Sequence, residues 1–213
     1  MLLSEDKRKE ALRILSELYP NPRPELLYES PYELLVAVML SAQCTDKQVN
    51  KVTRELFKVA NTPRQMIALP EEKLMDMIHS CGFFRMKGKH ILETSRILVE
   101  KYGGEVPADR DTLTELPGVG RKTANVVVSN AFHIPAIAVD THVFRVSNRI
   151  GLAEAKTVEK TEEQLMAHIP QEDWTDAHHW LIFHGRRVCS AQRPKCTECP
   201  LNGLCDFYTR KEQ

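Results

Sequence analysis

The residues that point most clearly to chemistry are four cysteines near the carboxyl terminus, Cys189, Cys196, Cys199 and Cys205, spaced C-x6-C-x2-C-x5-C. Four thiolates this close in sequence can surround one inorganic centre. Structural zinc sites favour two close cysteine pairs, and this motif contains only one, Cys196 and Cys199. The spacing therefore favours an iron–sulfur cluster over zinc, and four unligated thiols are the third alternative.

The two other cysteines, Cys44 and Cys81, are isolated in the sequence and have apolar neighbours. Single cysteines of this kind are typical of small buried hydrophobic residues. We therefore expect a packing role for both.

Basic residues surround the terminal cysteines. Residues 184–195 carry four basic side chains and no acid, namely Arg186, Arg187, Arg193 and Lys195. Such a segment can balance the negative charge of a thiolate cluster, or it can contact phosphates. The two roles are compatible, and local composition favours neither.

A second candidate site is segment 116–125, with the sequence LPGVGRKTAN, which lies between two helical patterns. Pro117 and the two glycines form a tight turn at which backbone N–H groups can approach a ligand closely. The next helix begins there, so its positive end favours an anion at the same point. A nucleotide P-loop needs glycine directly before the lysine, and Arg121 occupies that place. The remaining alternative is an ordinary inter-helix turn with Arg121 and Lys122 in solvent.

The elements that must position these residues are helices. Apolar positions between residues 11 and 18 follow the spacing of an amphipathic helix, and the prolines between residues 20 and 24 then break the chain. The patterns predict helix starts at Ser30, Thr45, Thr62, Asp140, Thr157 and Asp173. The helix after Ser30 is apolar nearly all round, so we expect it to be buried. Only residues 134–139 resemble a short extended segment, so the sequence predicts an all-α fold.

Composition and charge limit the class of protein. The 29 Lys and Arg residues balance the 29 Asp and Glu residues, and 42% of the chain is apolar. These values exclude a histone-like polycation and an acidic disordered chain. No apolar run is long enough to cross a membrane, and the charged amino terminus does not resemble a secretory signal. We therefore expect a cytoplasmic protein with no membrane partner.

The zero net charge conceals a segregated distribution. Segments 82–101 and 184–195 are basic, whereas segment 153–176 holds seven acids against two lysines. On net charge alone a nucleic-acid partner is not expected, but the distribution predicts a basic face that can bind DNA and an acidic face turned away from it.

Four segments, taken together, resemble the endonuclease III branch of the helix-hairpin-helix DNA glycosylases. They are the LPGVGRKTA sequence of residues 116–124, the VDTH sequence of residues 139–142, the LSAQCTD sequence of residues 40–46 and the four terminal cysteines. The motifs occur in the order and spacing of that family. The resemblance covers almost the whole chain, from about residue 30 to residue 206.

The resemblance implies two α-helical domains with a DNA-binding cleft between them. One is a continuous six-helix domain over residues 23–132, which contains the helix-hairpin-helix motif. The other joins residues 1–22 to residues 133–213 and holds a 4Fe–4S cluster in its C-terminal loop. The implied cluster ligands are Cys189, Cys196, Cys199 and Cys205.

The resemblance also implies a role in base excision repair. The family removes oxidised pyrimidines from damaged double-stranded DNA and nicks the abasic site by β-elimination through a lysine Schiff base. Lys122 and Asp140 match its catalytic residues. An amine must be neutral to attack, and we expect the helix end, Arg121 and partial burial to disfavour the charged form of Lys122. Asp140 can orient or deprotonate the lysine or stabilise positive charge at the sugar, or it can be only a helix N-cap.

DNA contacts follow from the same resemblance. Gln43 is expected to fill the space left by the flipped base, and Phe83 stands where relatives more often have a leucine wedge. The alternatives are a Gln43 exposed to solvent and a core position for Phe83 and Phe84. The predicted DNA-contacting residues are Gln43, Phe83, Leu116, Gly118, Val119, Gly120, Arg121, Thr123, Arg186, Arg193 and Lys195.

Two other functions fit part of the pattern. A mismatch adenine glycosylase of the same superfamily resembles this architecture, but it usually lacks a lysine at position 122 and carries an additional C-terminal domain. A non-enzymatic DNA-binding iron–sulfur protein would use the hairpin only for phosphates. We expect a DNA N-glycosylase and DNA-(apurinic or apyrimidinic site) lyase that acts as a monomer and, in a bacterium, is associated with the nucleoid.

Overall fold

The structure, a computed structural model, describes residues 1–211, and these residues form helices and no strand. The α-helices are α1 (Glu5–Leu18), α2 (Pro31–Ser41), α3 (Asp46–Leu56), α4 (Pro63–Ala68), α5 (Glu71–Ile78), α6 (Phe84–Tyr102), α7 (Arg110–Thr114), α8 (Arg121–Ala131), α9 (Thr141–Ile150), α10 (Val158–His168), α11 (Trp174–Arg187) and α12 (Asp206–Lys211). Short 3-10 helices occupy Gln171–Asp173 and Cys196–Glu198. The predicted all-α fold is confirmed. Among the described helices, none has both the length and the apolar character that crossing a membrane requires.

The chain divides into two compact units. The hairpin unit is Pro24–Ile134 and contains α2 to α8. The terminal unit is Met1–Arg23 together with the chain that follows Ile134, and it contains α1 and α9 to α12. The ranges predicted from the sequence are residues 23–132 for the one domain and residues 1–22 with residues 133–213 for the other.

Helix α2 is the centre of the hairpin unit. Every residue from Tyr32 to Leu40 is buried, as the apolar sequence of this helix predicts. The hydroxyl of Ser30 accepts a hydrogen bond from the N–H of Glu33 at 3.2 Å. Helices α3, α6 and α8 pack against α2. The loop that follows α2 and the turn that precedes α8 are therefore anchored on the same hydrophobic core.

Most of the predicted helix starts are confirmed. The side chains of Ser30, Thr45, Thr62, Asp140 and Thr157 all accept hydrogen bonds from backbone N–H groups in the first turn of the helix that follows. Asp173 is the exception, because it precedes α11 without a capping hydrogen bond from its side chain. Its backbone is already helical, at φ −92° and ψ −4°, as the last residue of a 3-10 helix, whereas a capping residue normally has an extended backbone.

The core of the terminal unit lies between α1, α9 and α11. Leu15, Val146 and Leu181 are fully buried there. A ring nitrogen of His178 on α11 donates a hydrogen bond to the carbonyl of Ala138 at 2.7 Å. This contact ties α11 to the extended chain that leads into α9 and therefore helps to place Asp140.

A second buried histidine predicts acid sensitivity of the terminal unit. Burial, with a smaller contribution from His178, lowers the pKa of His179 to about 3. The unfolded chain binds a proton at this side chain below about pH 6.5, whereas the folded chain stays neutral until about pH 3. The contribution of His179 to stability is therefore lost as the pH falls from 6.5 towards 3, and at about pH 5 the loss is about 2 kcal/mol.

His179→Gln is expected to remove this part of the pH dependence. The free energy of unfolding, measured by urea titration at about pH 7.5 and about pH 5, should fall less on acidification in the variant than in the wild type. His79→Gln, at an exposed position on the hairpin unit, should behave like the wild type. If the wild type and His179→Gln lose the same free energy of unfolding on acidification, His179 is not the source of the acid sensitivity.

Candidate nucleic-acid interface and cluster loop

The segment between α7 and α8 forms the predicted hairpin. The side chains of Leu116 and Val119 are buried, so they anchor the turn in the core and leave only the backbone to reach DNA. The N–H of Val119 donates to the carbonyl of Leu116 at 3.1 Å and closes the turn. Gly120 is exposed and is the N-cap of α8. The first N–H groups of a helix lack partners within it, so this end can bind an anion.

Helix α6 packs against the hairpin and fixes its backbone through Thr94 and His90. The hydroxyl of Thr94 donates to the carbonyl of Pro117 at 2.9 Å. Gly118 has a φ of +74°, and a Cβ atom there would lie 2.7 Å from Nδ1 and 2.9 Å from Cβ of His90. Only glycine fits this position, because a side chain would be strained and would overlap a neighbour that lies close to its own backbone.

Gly118→Ala is therefore expected to lower the free energy of unfolding by roughly 1–3 kcal/mol and to weaken DNA binding. Gly120→Ala is the matched control, since nothing lies within 4 Å of a Cβ atom at Gly120 and its φ is negative. Loss of the N-cap glycine should cost only a few tenths of a kcal/mol. Urea unfolding compares the two variants, and equal destabilisation would show that His90 does not confine the turn.

Lys122 is the second residue of α8 and its side chain is exposed, as is that of Arg121. Thr123 is half-buried. The partial burial expected for Lys122 is therefore not observed, because α8 presents its first turn to solvent.

Asp140 is the N-cap of α9 in the terminal unit. One carboxylate oxygen, Oδ1, accepts hydrogen bonds from the N–H groups of His142 and Val143 at 2.8 Å each. Asp140 is therefore a helix N-cap, which is one of the roles expected for it from the sequence. A capping carboxylate has a second oxygen, so the cap and a catalytic role are compatible.

Two loops of the hairpin unit carry the residues predicted to enter the space left by a flipped base. Gln43 follows α2 and Phe83 precedes α6, and both have the left-handed backbone that side-chain-bearing residues rarely adopt, with φ of +54° and +58°. A Cβ atom on Gly82 would lie 3.5 Å from the carbonyl oxygen of Gln43, so the two loops touch. Phe83 is 61% exposed, which excludes a core position for it. Exposed residues held in a strained conformation are typical of functional sites.

Lys87 has a different role from the one its charge suggests. The sequence places it in the basic segment 82–101, but the side chain is only 6% exposed and Nζ donates to the carbonyl of Leu40 at 2.8 Å. It thereby satisfies a carbonyl group at the end of α2. Burial lowers the pKa of Lys87. Its position on the same helical stripe as Ile91 and Ser95 is the signal that could have identified it as an internal residue.

The four terminal cysteines line one cavity of the terminal unit, whose walls also include Ile150, Val188 and Leu201. Nε2 of His184 lies 3.4 Å from Sγ of Cys199. A 4Fe–4S cube takes four thiolates spread around four irons, and the four thiols that line this cavity supply such a donor set.

Two arginines on α9 hold the cysteine loop, and sequence reasoning missed this role. Nε of Arg145 donates to the carbonyl of Cys189 at 3.1 Å, and Nη2 donates to that of Gly185 at 3.0 Å. Arg149 donates to the carbonyls of Ser190 and Ala191 at 2.7 and 2.8 Å and to Sγ of Cys189 at 3.5 Å. Their spacing of four residues on one helix is the only sequence signal for a shared task.

Arg149→Ala is expected to loosen the cysteine loop. It removes these hydrogen bonds and the stacking of the guanidinium on Phe207, whose centroid is 4.6 Å away, at a cost of roughly 2–3 kcal/mol. Visible absorbance followed during incubation with an iron chelator should decay faster than in the wild type. Arg13→Ala, which breaks only exposed ion pairs with Glu10 and Glu17 on α1, should decay at the wild-type rate.

Comparisons with known proteins agree with this arrangement. Residues 36–171 match the HhH-GPD superfamily base excision DNA repair protein family, and residues 189–205 match the iron-sulfur binding domain of endonuclease III. The chain is 54% identical to endonuclease III of Bacillus subtilis strain 168 over 192 residues, 90% of this chain and 88% of the relative. It is 50% identical to endonuclease III of Escherichia coli strain K12 over 205 residues, 96% and 97% of the two chains.

A solved structure is also similar. It is a trapped endonuclease III–DNA covalent intermediate, described as an estranged-adenine complex. Its superposition on this chain covers 100% of each chain, with a TM-score of 0.95 and 48% sequence identity.

The fold, the hairpin and the cysteine loop define an all-helical, DNA-binding iron–sulfur protein. The chain belongs to the HhH-GPD superfamily of base excision DNA repair proteins and, within it, to the endonuclease III family. The predictions of family, fold, DNA binding and a 4Fe–4S cofactor are confirmed. So is the enzyme class, a DNA N-glycosylase with abasic-site lyase activity, which excludes a purely structural DNA-binding protein.

Proposed function

We propose that this chain removes oxidised pyrimidines from duplex DNA and then nicks the abasic strand, with Lys122 as the nucleophile. The observation that carries this assignment is the exposed Lys122 in the first turn of α8, directly after the hairpin. The N–H groups of that helix end attract a phosphate of the DNA backbone. A phosphate bound there places the adjoining deoxyribose beside the amine of Lys122. The solved relative that was trapped in a covalent intermediate with DNA supports a covalent route.

The reaction begins with the neutral amine of Lys122 attacking C1′ of the damaged nucleotide. The bond from C1′ to the base breaks, and the base leaves with the electron pair and takes up a proton. The nitrogen then gives up a proton, the bond from C1′ to the ring oxygen O4′ breaks, and O4′ takes up a proton, which opens the sugar and gives a protonated imine between Lys122 and C1′. The imine acidifies the proton on C2′, and its removal expels the 3′ phosphate, which is the nick.

Asp140 is proposed as the partner of Lys122. Its carboxylate can take a proton from the lysine or stabilise the positive charge that develops at C1′. The cap on α9 fixes the carboxylate, because Oδ1 is held by two N–H groups. Such a fixed charge needs no reorganisation during the reaction.

Access to C1′ requires the damaged nucleotide to leave the stack, at a cost of a few kcal/mol. We propose that Gln43 and Phe83 occupy the space it leaves, since their loops touch and both residues are exposed. The amide of Gln43 can donate and accept hydrogen bonds and so suits several orphaned bases. The exposed ring of Phe83 provides an apolar wedge of the kind that unstacks base steps.

The remaining contacts hold the DNA backbone. They are proposed for the hairpin backbone at Leu116, Gly118, Val119 and Gly120, for the side chains of Arg121 and Thr123, and for Arg186, Arg193 and Lys195 on the terminal unit. Cys189, Cys196, Cys199 and Cys205 are the proposed cluster ligands, and the bound cluster would supply cross-links that fix the loop carrying Arg193 and Lys195. We propose further that the protein acts as a monomer in the cytoplasm, associated with the nucleoid.

Borohydride trapping tests the covalent route. The wild-type protein, incubated with an oligonucleotide duplex that contains one oxidised pyrimidine, should release the base and form a stable adduct when the imine is reduced. A duplex with an undamaged pyrimidine at the same position should form none. Base release without any adduct would overturn the lysine mechanism, and a panel of damaged bases ranks the substrates.

A further inference from the structure

We propose that Cys44 and Cys81 form a redox-active thiol pair that a hydroperoxide converts to a disulfide, linking the two loops that carry Gln43 and Phe83. The expected effect on DNA reading depends on the function proposed above for these two residues. The disulfide itself does not, because it depends only on the positions of the thiols.

The two cysteines sit at corresponding points of the two touching loops. Cys44 directly follows Gln43, and Cys81 is two residues before Phe83. The two thiols interact electrostatically with each other, and the close approach of Gly82 to the carbonyl oxygen of Gln43 brings the two loops together at the same place. Both cysteines are unlinked in the structure.

The surroundings distinguish the two thiols. Cys81 is 0% exposed, whereas Cys44 is half-buried and can be reached from solvent. Burial and, less strongly, the interaction with Cys44 raise the pKa of Cys81 to about 11. Lys87, anchored on the carbonyl of Leu40, interacts electrostatically with both sulfurs.

These differences assign the order of the reaction. The Cys44 thiolate attacks one oxygen of the hydroperoxide, the O–O bond breaks, and the leaving oxygen takes up a proton to give water or an alcohol. Cys44 is then a sulfenic acid. The sulfur of Cys81 attacks the sulfur of Cys44, the S–O bond breaks, and hydroxide leaves with the proton of Cys81 as a second water. Two electrons pass from the sulfurs to the peroxide, and one S–S bond forms.

The disulfide constrains the loops that read DNA. Its sulfurs must approach to about 2.05 Å, which is far closer than two unlinked thiols can lie. The loops are drawn together at the two residues proposed to enter the space of the flipped base. Misplacement by about 1 Å at such a site can cost about 10²-fold in rate, so oxidation is expected to slow base release by at least about tenfold.

Mass mapping of the intact protein tests the disulfide without reference to activity. The holoprotein is treated with stepwise hydrogen peroxide, alkylated and digested with trypsin, and visible absorbance confirms that the cluster survives. A linked pair joining the peptide of Cys44 to the peptide of Cys81 is expected in the wild type and absent in Cys44→Ser. Oxidation of Cys44 to sulfinic acid with Cys81 still alkylated, or a link from Cys44 to a terminal cysteine, would overturn the pair.

Single-turnover base release then measures the effect on the loops. The oxidised wild type should be at least about tenfold slower than the reduced protein and should recover with dithiothreitol, whereas Cys44→Ser should keep its rate through the same treatment. A linked protein with an unchanged rate would overturn the effect on DNA reading. Failure of the proposed function would be different, since the reduced protein would then release no base while the linked peptides would still form.

Discussion

Lys122→Gln is expected to abolish borohydride trapping and strand nicking and to lower base release by on the order of 10⁴-fold or more, as removal of an essential nucleophile does. Glutamine keeps most of the length and polarity of the side chain but has no amine to attack C1′ or to form an imine. The change also removes one positive charge, so DNA affinity should fall by no more than about tenfold, the scale of a single phosphate contact.

Lys73→Gln on α5 is the matched control. It removes the same charge from an exposed helix position of the same unit, and it should keep trapping, nicking and base release. Affinity for a duplex with a non-cleavable abasic analogue separates binding from chemistry in both variants. Normal trapping by Lys122→Gln would show that another amine forms the imine, and weak binding with normal base release would place Lys122 in DNA contact alone.

The parts of the site that the sequence predicted are those made by a continuous segment. The hairpin follows from Pro117 and two glycines before a helix start, and the cysteine loop follows from the spacing of four like residues. In both cases chain connectivity already forces the residues together, so tertiary packing adds little. The same holds for α2, where nine consecutive buried residues leave no solvent-facing side.

The parts that the sequence did not predict depend on packing between distant segments. Lys87 was counted with the DNA-facing charges, but the end of α2 lies within reach of its ammonium group, and nothing local marks that carbonyl. Arg145 and Arg149 bind carbonyls about 40 residues away in sequence. The exposure of Lys122 depends on which face of α8 packs against the core, and the sequence periodicity did not determine that face. Charge alone therefore overestimated the number of cations available to phosphate.

Asp140→Asn is expected to lower the rate of base release by about 10²–10⁴-fold, the usual contribution of a positioned acid–base group, with little change in stability. Asparagine is as good an N-cap as aspartate, so the hydrogen bonds from the N–H groups of His142 and Val143 to Oδ1 should persist. The substitution removes the negative charge and the ability to take a proton, which are the two properties that the proposed role requires.

Asp109→Asn supplies the matched control, because Asp109 is the N-cap of α7 and its Oδ1 accepts from the N–H of Thr112 at 2.8 Å. Both variants should unfold in urea near the wild-type midpoint, and only Asp140→Asn should lose base release. Trapping on preformed abasic DNA then distinguishes the two roles. If Asp140 mainly stabilises charge as the base departs, Asp140→Asn should trap abasic DNA almost normally, whereas a group that deprotonates Lys122 is needed for both reactions. Wild-type base release in Asp140→Asn would reduce Asp140 to a helix cap.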